Sequence, residues 1–286
     1  MDREPAARPR ARPGNPLQGP GPALFGILNV TPDSFSDGGD FLDPEAAARH
    51  AGVLLEEGAD AIDVGGESTR PGSDPVSEEE ERRRVVPVVR RILEARPGAV
   101  VSVDTYRART AEAALDAGAR IVNDVTALRG DPRMAALVAD AGCPVVLMHM
   151  LGEPKTMQRE PRYDDAVGEV RHFLEKRAGH ANAAGVAAEN IILDPGIGFG
   201  KTLAHNLALL RRLDAIVDLG FPVLLGASRK RFIGAITGAE EAKGRVFGTV
   251  ATTVLGYERG ATLFRVHDVR ANREALVVAE AVRAAS

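Results

Sequence analysis

Cysteine occurs once in 286 residues, tryptophan not at all, and aromatic side chains make up only 4% of the chain. One thiol, Cys143, excludes an intrachain disulfide framework and any metal site built from several cysteines. Its place in the apolar run 143–148 marks it as a buried core thiol in a reducing compartment. No stretch approaches the roughly 18 consecutive apolar residues of a membrane span, and the first residues lack a signal peptide's apolar segment. A cytoplasmic location is expected. Basic charge is not in excess either: 36 Lys and Arg stand against 40 Asp and Glu, a formal net charge of −4. That balance argues against a broad phosphate-neutralising surface for nucleic acid, while leaving room for a local anion pocket.

What is present is apolar material for one large core, 44% of the residues. α/β barrels commonly reach about 250 residues as a single domain, so a second domain is not required. Residues 1–22 hold six of the eighteen prolines, three glycines and four arginines with almost nothing to pack. They are expected to be a disordered tail. Acidic Asp2 and Glu4 and the absence of serine argue against a transit segment. Residues 23–286 are expected to form one domain.

From there a rhythm begins. Short apolar runs suited to strands buried on both faces fall at Leu24–Leu28, Ala61–Val64, Val100–Val103, Arg120–Val122, Val145–Met148, Ile191–Leu193, Val223–Leu225 and Leu263–Val266. Between them lie amphipathic segments such as Pro44–Glu57, Ser77–Ala95, Ala108–Ala117, Asp165–Ala184, Asn206–Leu213, Lys243–Arg259 and Asn272–Ala284. Each helix supplies a crossover, which forces parallel pairing. Eight such units predict a single (β/α)8 TIM barrel, with an open doubly wound sheet as the structural alternative.

Barrel active sites are built at the carboxyl ends of the strands. Here those ends are polar: Asn29, Asp63 with the loop 65–72, Asp104, Asn123-Asp124, His149, Asp194, Ser228-Arg229-Lys230 and Arg265-Val266-His267-Asp268. Any one Asp, Asn or Ser at such a junction is most simply a helix N-cap. Lys230, Arg265 and His267 are poor caps, and eight polar ends on one rim point to a site. Its chemistry divides into carboxylates and amides on the central strands (Asp104, Asn123, Asp194) and cations with Asn29 where the seventh and eighth strands meet the first. A flat, amide-rich heterocycle with a phosphate-bearing arm would suit both halves.

The segments that carry these residues resemble dihydropteroate synthases. They include Gly26-Ile27-Leu28-Asn29-Val30-Thr31-Pro32-Asp33-Ser34-Phe35-Ser36-Asp37-Gly38-Gly39 and Gly65-Gly66-Glu67-Ser68-Thr69-Arg70-Pro71-Gly72. Further along come Ser102-Val103-Asp104-Thr105, Val122-Asn123-Asp124-Val125, Leu147-Met148-His149-Met150, Asp194-Pro195-Gly196-Ile197-Gly198-Phe199-Gly200-Lys201, Ser228-Arg229-Lys230 and Arg265-Val266-His267-Asp268. The match runs in order over about residues 24 to 284.

The resemblance implies that Asp104, Asn123, Asp194 and Lys230 bind a reduced pterin, with Asp194 taking the ring N–H and the exocyclic amine together. It implies that Asn29, Arg265 and His267 bind pyrophosphate, that Mg²⁺ is the cofactor with Asn29 as its protein ligand, and that Asp104, Lys230, Arg265 and His267 are catalytic. Magnesium keeps several waters and borrows phosphate oxygens, so no carboxylate cage is needed. Loss of pyrophosphate ahead of attack by p-aminobenzoate requires no nucleophilic side chain. Pro32, Phe35, Thr69 and Arg70 would shape the p-aminobenzoate pocket, and the family suggests a homodimer through helices away from the barrel mouth.

Arg231 either substitutes as a charged donor for p-aminobenzoate or points into solvent. Phe199 is expected to pack. The segment ending Gly200-Lys201-Thr202 is not a P-loop, because Pro195 stands where that motif needs glycine. His149 has no second histidine at metal-binding spacing and is expected to be a hydrogen-bonded rim residue. Asp63 and Glu67 are expected to fix the second loop. Two rival functions are a pterin-dependent methyltransferase of similar barrel and a non-catalytic pterin-binding paralogue. The first leaves Asn29 and the Arg265/His267 pair unexplained.

Overall fold

Runs rich in leucine, isoleucine and valine become the strands, and the glycines between them turn the chain back. In the computed structural model, residues 17, 19, 21–31, 43–68, 75–153 and 155–285 are described. In chain order they give β1 (Ala23–Asn29), α1 (Pro44–Glu56), β2 (Ala61–Gly65), α2 (Glu78–Ala95), β3 (Val101–Asp104), α3 (Ala108–Asp116) and β4 (Ile121–Asp124). There follow α4 (Met134–Ala141), β5 (Val145–Met148), α5 (Ala166–Ala183), β6 (Ile191–Asp194), α6 (Leu203–Arg211) and α7 (Asp214–Val217). The chain ends with β7 (Leu224–Leu225), α8 (Arg231–Thr237), α9 (Val246–Glu258), β8 (Leu263–Val266) and α10 (Val269–Ala284).

All pairings are parallel, in the order β6-β5-β4-β3-β2-β1-β8-β7. A parallel bridge from Leu193 to Val223 and a bond from Leu193 N–H to Pro222 O (2.9 Å) join the two ends of this sheet. The barrel reading therefore stands and the open-sheet alternative does not. β7 is shorter than expected, since Val223 makes only that bridge. Pro222, just before it, has no N–H to extend the ladder.

Helix starts follow local chemistry. Asp43, Ser77, Asp165 and Thr202 each cap a helix by accepting a backbone N–H. The Thr202 cap starts α6 at Leu203, ahead of the expected Asn206, and α6 stops at Arg211 rather than Leu213. The expected helix 243–259 begins instead as a 3-10 turn, Ala242–Arg245, before α9 proper. α10 begins at Val269, directly after β8, rather than at Asn272.

Strand side chains alternate, so residues two apart face the same way. One set forms its own cluster: Ala23 and Phe25 of β1 with Ala61, Ile121, Val146, Ile192, Leu224 and Leu263. It is the floor of the barrel interior, and Val100 and Leu17 pack against it. Ordered packing thus begins ahead of Ala23, although residues 1–16 lie outside the described set. The opposite set, including Leu24, Ile62, Val103, Leu147 and Phe264, joins the helices in the main core, which contains Cys143. Burying side chains of this size stabilises by about 1.5–3 kcal/mol each, and the ring of helices around the strands makes that possible on every side.

Candidate active site

Two residues beyond five of the eight floor side chains, toward the carboxyl end, the inward positions change character. Ala61 is followed by Asp63, Ile121 by Asn123, Ile192 by Asp194, Leu224 by Gly226 and Leu263 by Arg265. The register also sets Asn29, Gly65, Asp104 and Asn123 side by side on β1 to β4. The strand period alone therefore gathers polar side chains above an apolar plug. Glycine keeps the mouth open: a Cβ on Gly65 would lie 3.5 Å from Asp104 Oδ2 and 3.7 Å from Asn29 Oδ1. One on Gly226 would lie 3.5 Å from Asp194 Oδ2.

Arg265 joins the carboxylates. Its Nε donates to Asp63 Oδ2 at 2.5 Å and its Nη2 to Asp104 Oδ2 at 2.8 Å. Asn123 Nδ2 donates to the same Asp63 oxygen at 3.0 Å. Asp63 is fully buried, and among the described residues its other oxygen, like the Ser102 hydroxyl opposite it in register, has no hydrogen-bond partner. The separation into a carboxylate half and a cation half does not describe this arrangement, because Arg265 is held by two carboxylates. Nη1 of Arg265 makes no hydrogen bond among the described residues and is left to meet an anion.

Burial and charge act in opposition here. Burial pushes the Asp194 carboxyl up to about 6, against the Gly196 N–H at 2.7 Å and the charges of Lys230, Lys201 and Arg265. Burial likewise raises Asp104, which Arg265 pulls down and Asp63 pushes up. Lys230 is lowered to about 8 by burial, with Asp194 resisting, and its ammonium sits 3.9 Å from the centroid of the Phe199 ring. Such a contact stabilises by about 0.5–2 kcal/mol. Phe199 thus packs, as expected, and in doing so fixes Lys230.

Around the rim, His267 N–H donates to Ser228 Oγ at 3.1 Å, while His267 Nδ1 lies 3.0 Å from the same oxygen. Arg229, held at φ 57, forms a bidentate pair with Asp268 through Nε (2.9 Å) and Nη2 (2.5 Å). These two links lace the loop after β7 to the loop after β8 and so set Lys230 and His267 on neighbouring sides of the opening. His149 is not on the rim: it is buried, and Lys201 Nζ donates to its Nδ1 at 2.8 Å. Burial, with the Lys201 charge, lowers the imidazole to about 3.

Of the residues singled out from the sequence, Asn29, Asp104, Asn123, Asp194, Lys230, Arg265 and His267 all stand at one end of the barrel. Pro32, Phe35, Thr69 and Arg70 lie outside the described residues. Glu67 does serve the second loop, with Arg107 as its partner, whereas Asp63 does not. Arg107 pairs with Glu67 Oε2 at 2.6 Å and donates to Val76 O at 2.7 Å, holding both flanks of the segment 68–75. Asp63 lies deeper and holds Arg265 and Asn123. Lys201, which in sequence closes a family motif and a P-loop decoy, is buried in the loop after β6 beside His149, a placement the sequence did not signal.

Among the described residues no group of three or more His, Cys, Asp or Glu gathers as a metal cluster. The carboxamide oxygen of Asn29 lies at the mouth, 3.7 Å from where a Cβ on Gly65 would stand. A hard cation that keeps its waters and takes substrate oxygens fits that single donor.

The profile of a family described as pterin binding enzyme matches residues 25–267. The dihydropteroate synthase of Neisseria meningitidis serogroup B is 49% identical over 266 residues, spanning 91% of this chain and 93% of that protein. A solved structure of Xanthomonas albilineans dihydropteroate synthase with 4-aminobenzoic acid superposes with a TM-score of 0.88 at 49% identity, covering 93% of this chain and 95% of that one. The X. albilineans enzyme in complex with 7,8-dihydropteroate gives a TM-score of 0.85 at 47% identity over the same shares.

Proposed function

The chain belongs to the pterin-binding enzyme family, and we infer that it is a transferase of folate biosynthesis. It joins 6-hydroxymethyl-7,8-dihydropterin pyrophosphate to p-aminobenzoate, releasing 7,8-dihydropteroate and pyrophosphate. The observation that carries this reading is the near-complete correspondence with a relative holding the product itself. The polar layer above the barrel floor supports it residue by residue.

Asp194 accepts the 2-amino group and N3–H of the pterin as a planar pair, while Gly196 N–H keeps one of its oxygens oriented. Asn123, fixed by Asp63, offers a donor and an acceptor to the neighbouring ring edge. Asp104 takes another ring N–H, and Lys230 the carbonyl side. The pyrophosphate arm meets Arg265 Nη1, His267 and Asn29. Asn29 would hold Mg²⁺, which supplies neutralisation of the leaving group's charge.

In the reaction the C–O bond between the pterin methylene and pyrophosphate breaks, the electron pair leaving with pyrophosphate. The aromatic amine then bonds to that carbon and loses a proton. Arg265 and His267 stabilise the departing charge, and Asp104 faces the cation that develops on the pterin. No side-chain nucleophile is involved.

The two enzyme substrates are small molecules, and no described helix is long and apolar enough to cross a membrane. We place the enzyme in the cytoplasm, where its buried Cys143 stays reduced. A homodimer is proposed through the outer faces of α9 and α10, which expose Phe247, Leu255, Val277, Val278 and Val282. Sedimentation at monomer mass in micromolar solution would remove that proposal.

The deciding experiment supplies purified protein with the pterin pyrophosphate and Mg²⁺, with and without p-aminobenzoate, and follows pyrophosphate and dihydropteroate. Dihydropteroate is expected. Pterin binding without product would identify a non-catalytic binder instead.

A further inference from the structure

Among the described residues, Lys201 is the one buried cation near the mouth to which the reading above gives no role. It lies in the loop after β6, 3% exposed. Its Nζ donates to His149 Nδ1 (2.8 Å), Gly196 O (2.9 Å) and Phe199 O (3.0 Å), so all three ammonium protons have an acceptor. The loop is shaped for this. Gly196, Gly198 and Gly200 all adopt positive φ (66, 82 and 62), which coils the chain until its carbonyls converge. A Cβ on Gly196 would fall 1.9 Å from His149 O, so only glycine permits this approach.

A buried ammonium is a costly way to hold a loop, since an apolar side chain of similar volume often does as well or better. What the charge adds is its position. The same coil supplies the Gly196 N–H to Asp194, and it carries the Phe199 ring under Lys230. Resting on the functional reading above, we propose that Lys201 is a positioning residue of the pterin subsite: its ammonium fixes the Gly196–Phe199 coil and adds a third positive charge, with Lys230 and Arg265, to those that act on Asp194.

The groups facing this pair are few. Lys201, Lys230 at the start of α8 and Arg265 on β8 act on Asp194. His149, at the end of β5, accepts from Lys201 and is itself kept neutral by burial, with Arg129 adding to that effect. Burial lowers Lys201 to about 7, with Asp194 resisting, so below that value its removal leaves Asp194 with two cations instead of three. Its carboxylate then protonates at higher pH, and pterin affinity is lost from the acid side.

The test compares K201M, which removes the charge, and K201Q, which keeps a donor without charge, with the unaltered enzyme. Binding of 6-hydroxymethylpterin is measured by calorimetry from pH 5 to 9, with KM for both substrates. Expected are at least a tenfold loss of pterin affinity at pH 7 in K201M, a KM for p-aminobenzoate changed less than threefold, and an acid limb moved to higher pH in both variants. K201Q carries the comparison if K201M does not fold. Unchanged pterin affinity and pH profile in a folded variant, or equal losses for both substrates, would overturn the proposal. An unaltered protein that binds no pterin would instead overturn the functional reading, and this inference with it.

Discussion

Arg265 Nε lies 2.5 Å from Asp63 Oδ2, a contact made across 202 positions of sequence between the eighth strand and the second. It couples the group assigned to pyrophosphate with the group that orients Asn123, so a single buried carboxylate serves both ends of one substrate. Removing one partner of a buried pair generally costs about 3–5 kcal/mol, because the other charge is left uncompensated. Asp104 softens that loss here. We predict that D63N lowers stability by about 2–3 kcal/mol and raises KM for the pterin pyrophosphate while sparing that for p-aminobenzoate. Urea denaturation with steady-state kinetics checks this, and unchanged kinetics would remove Asp63 from the site.

A contrast between two alanine variants separates the ring from its arm. D194A is expected to abolish pterin binding altogether, since it leaves two buried donors of the ring unmatched at about 1–3 kcal/mol each. R265A is expected to weaken the pyrophosphate-bearing substrate more than the free pterin alcohol. Calorimetry with both ligands decides. Equal losses for the two ligands in R265A would show that Arg265 acts on the ring or the fold alone.

The titration of Asp194 gives a pH dependence with a defined sign. Burial holds its carboxyl near 6 in the ligand-free protein, above the usual carboxylate range. The ionised form is the acceptor, so pterin affinity is full above that value. It falls by about tenfold per pH unit below it, one pKa unit corresponding to about 1.4 kcal/mol. For folding the linkage runs the other way: the raised value favours the folded protein in acid, and this contribution fades as pH rises from 3.8 through about 6. Pterin affinity constant from pH 4 to 8 would contradict this.

Gly65 tests the space rather than a charge. A methyl group there meets only ordinary contacts, at 3.5 Å from Asp104 and 3.7 Å from Asn29, and Gly65 lies within a strand. G65A should fold with stability unchanged or higher by up to about 1 kcal/mol, yet lose activity because the methyl occupies the gap between two ligand-facing groups. Thermal denaturation beside turnover distinguishes these effects. Full activity in G65A would place the substrate elsewhere.

The barrel was legible because the strand–helix alternation leaves few parallel arrangements, and because strand ends such as Asn123 and Asp194 are polar where helices do not explain it. Depth was not legible. Asp63 and Asp104 both look like strand-end carboxylates in one dimension, but Asp63 sits a layer lower, where it can only hold other side chains. Nor does a sequence show which strands meet when the sheet closes, and the Arg265 bridge to two carboxylates depends on that closure. Lys201 was missed for a different reason: in sequence it closes a family motif and a false P-loop, and neither shows that the carbonyls of the coil converge on it.

The apolar plug formed by Phe25, Ile121, Val146 and their neighbours, with Leu17 beneath, makes the barrel a well with a single opening. Whatever reaches the polar layer must arrive and depart through the same mouth. A flat ring bound at the bottom therefore enters and leaves across the rim, and any larger molecule built on that ring leaves by the same route. Traffic is therefore funnelled by the shape of the interior, and anything that covers the mouth closes the way to the layer beneath it.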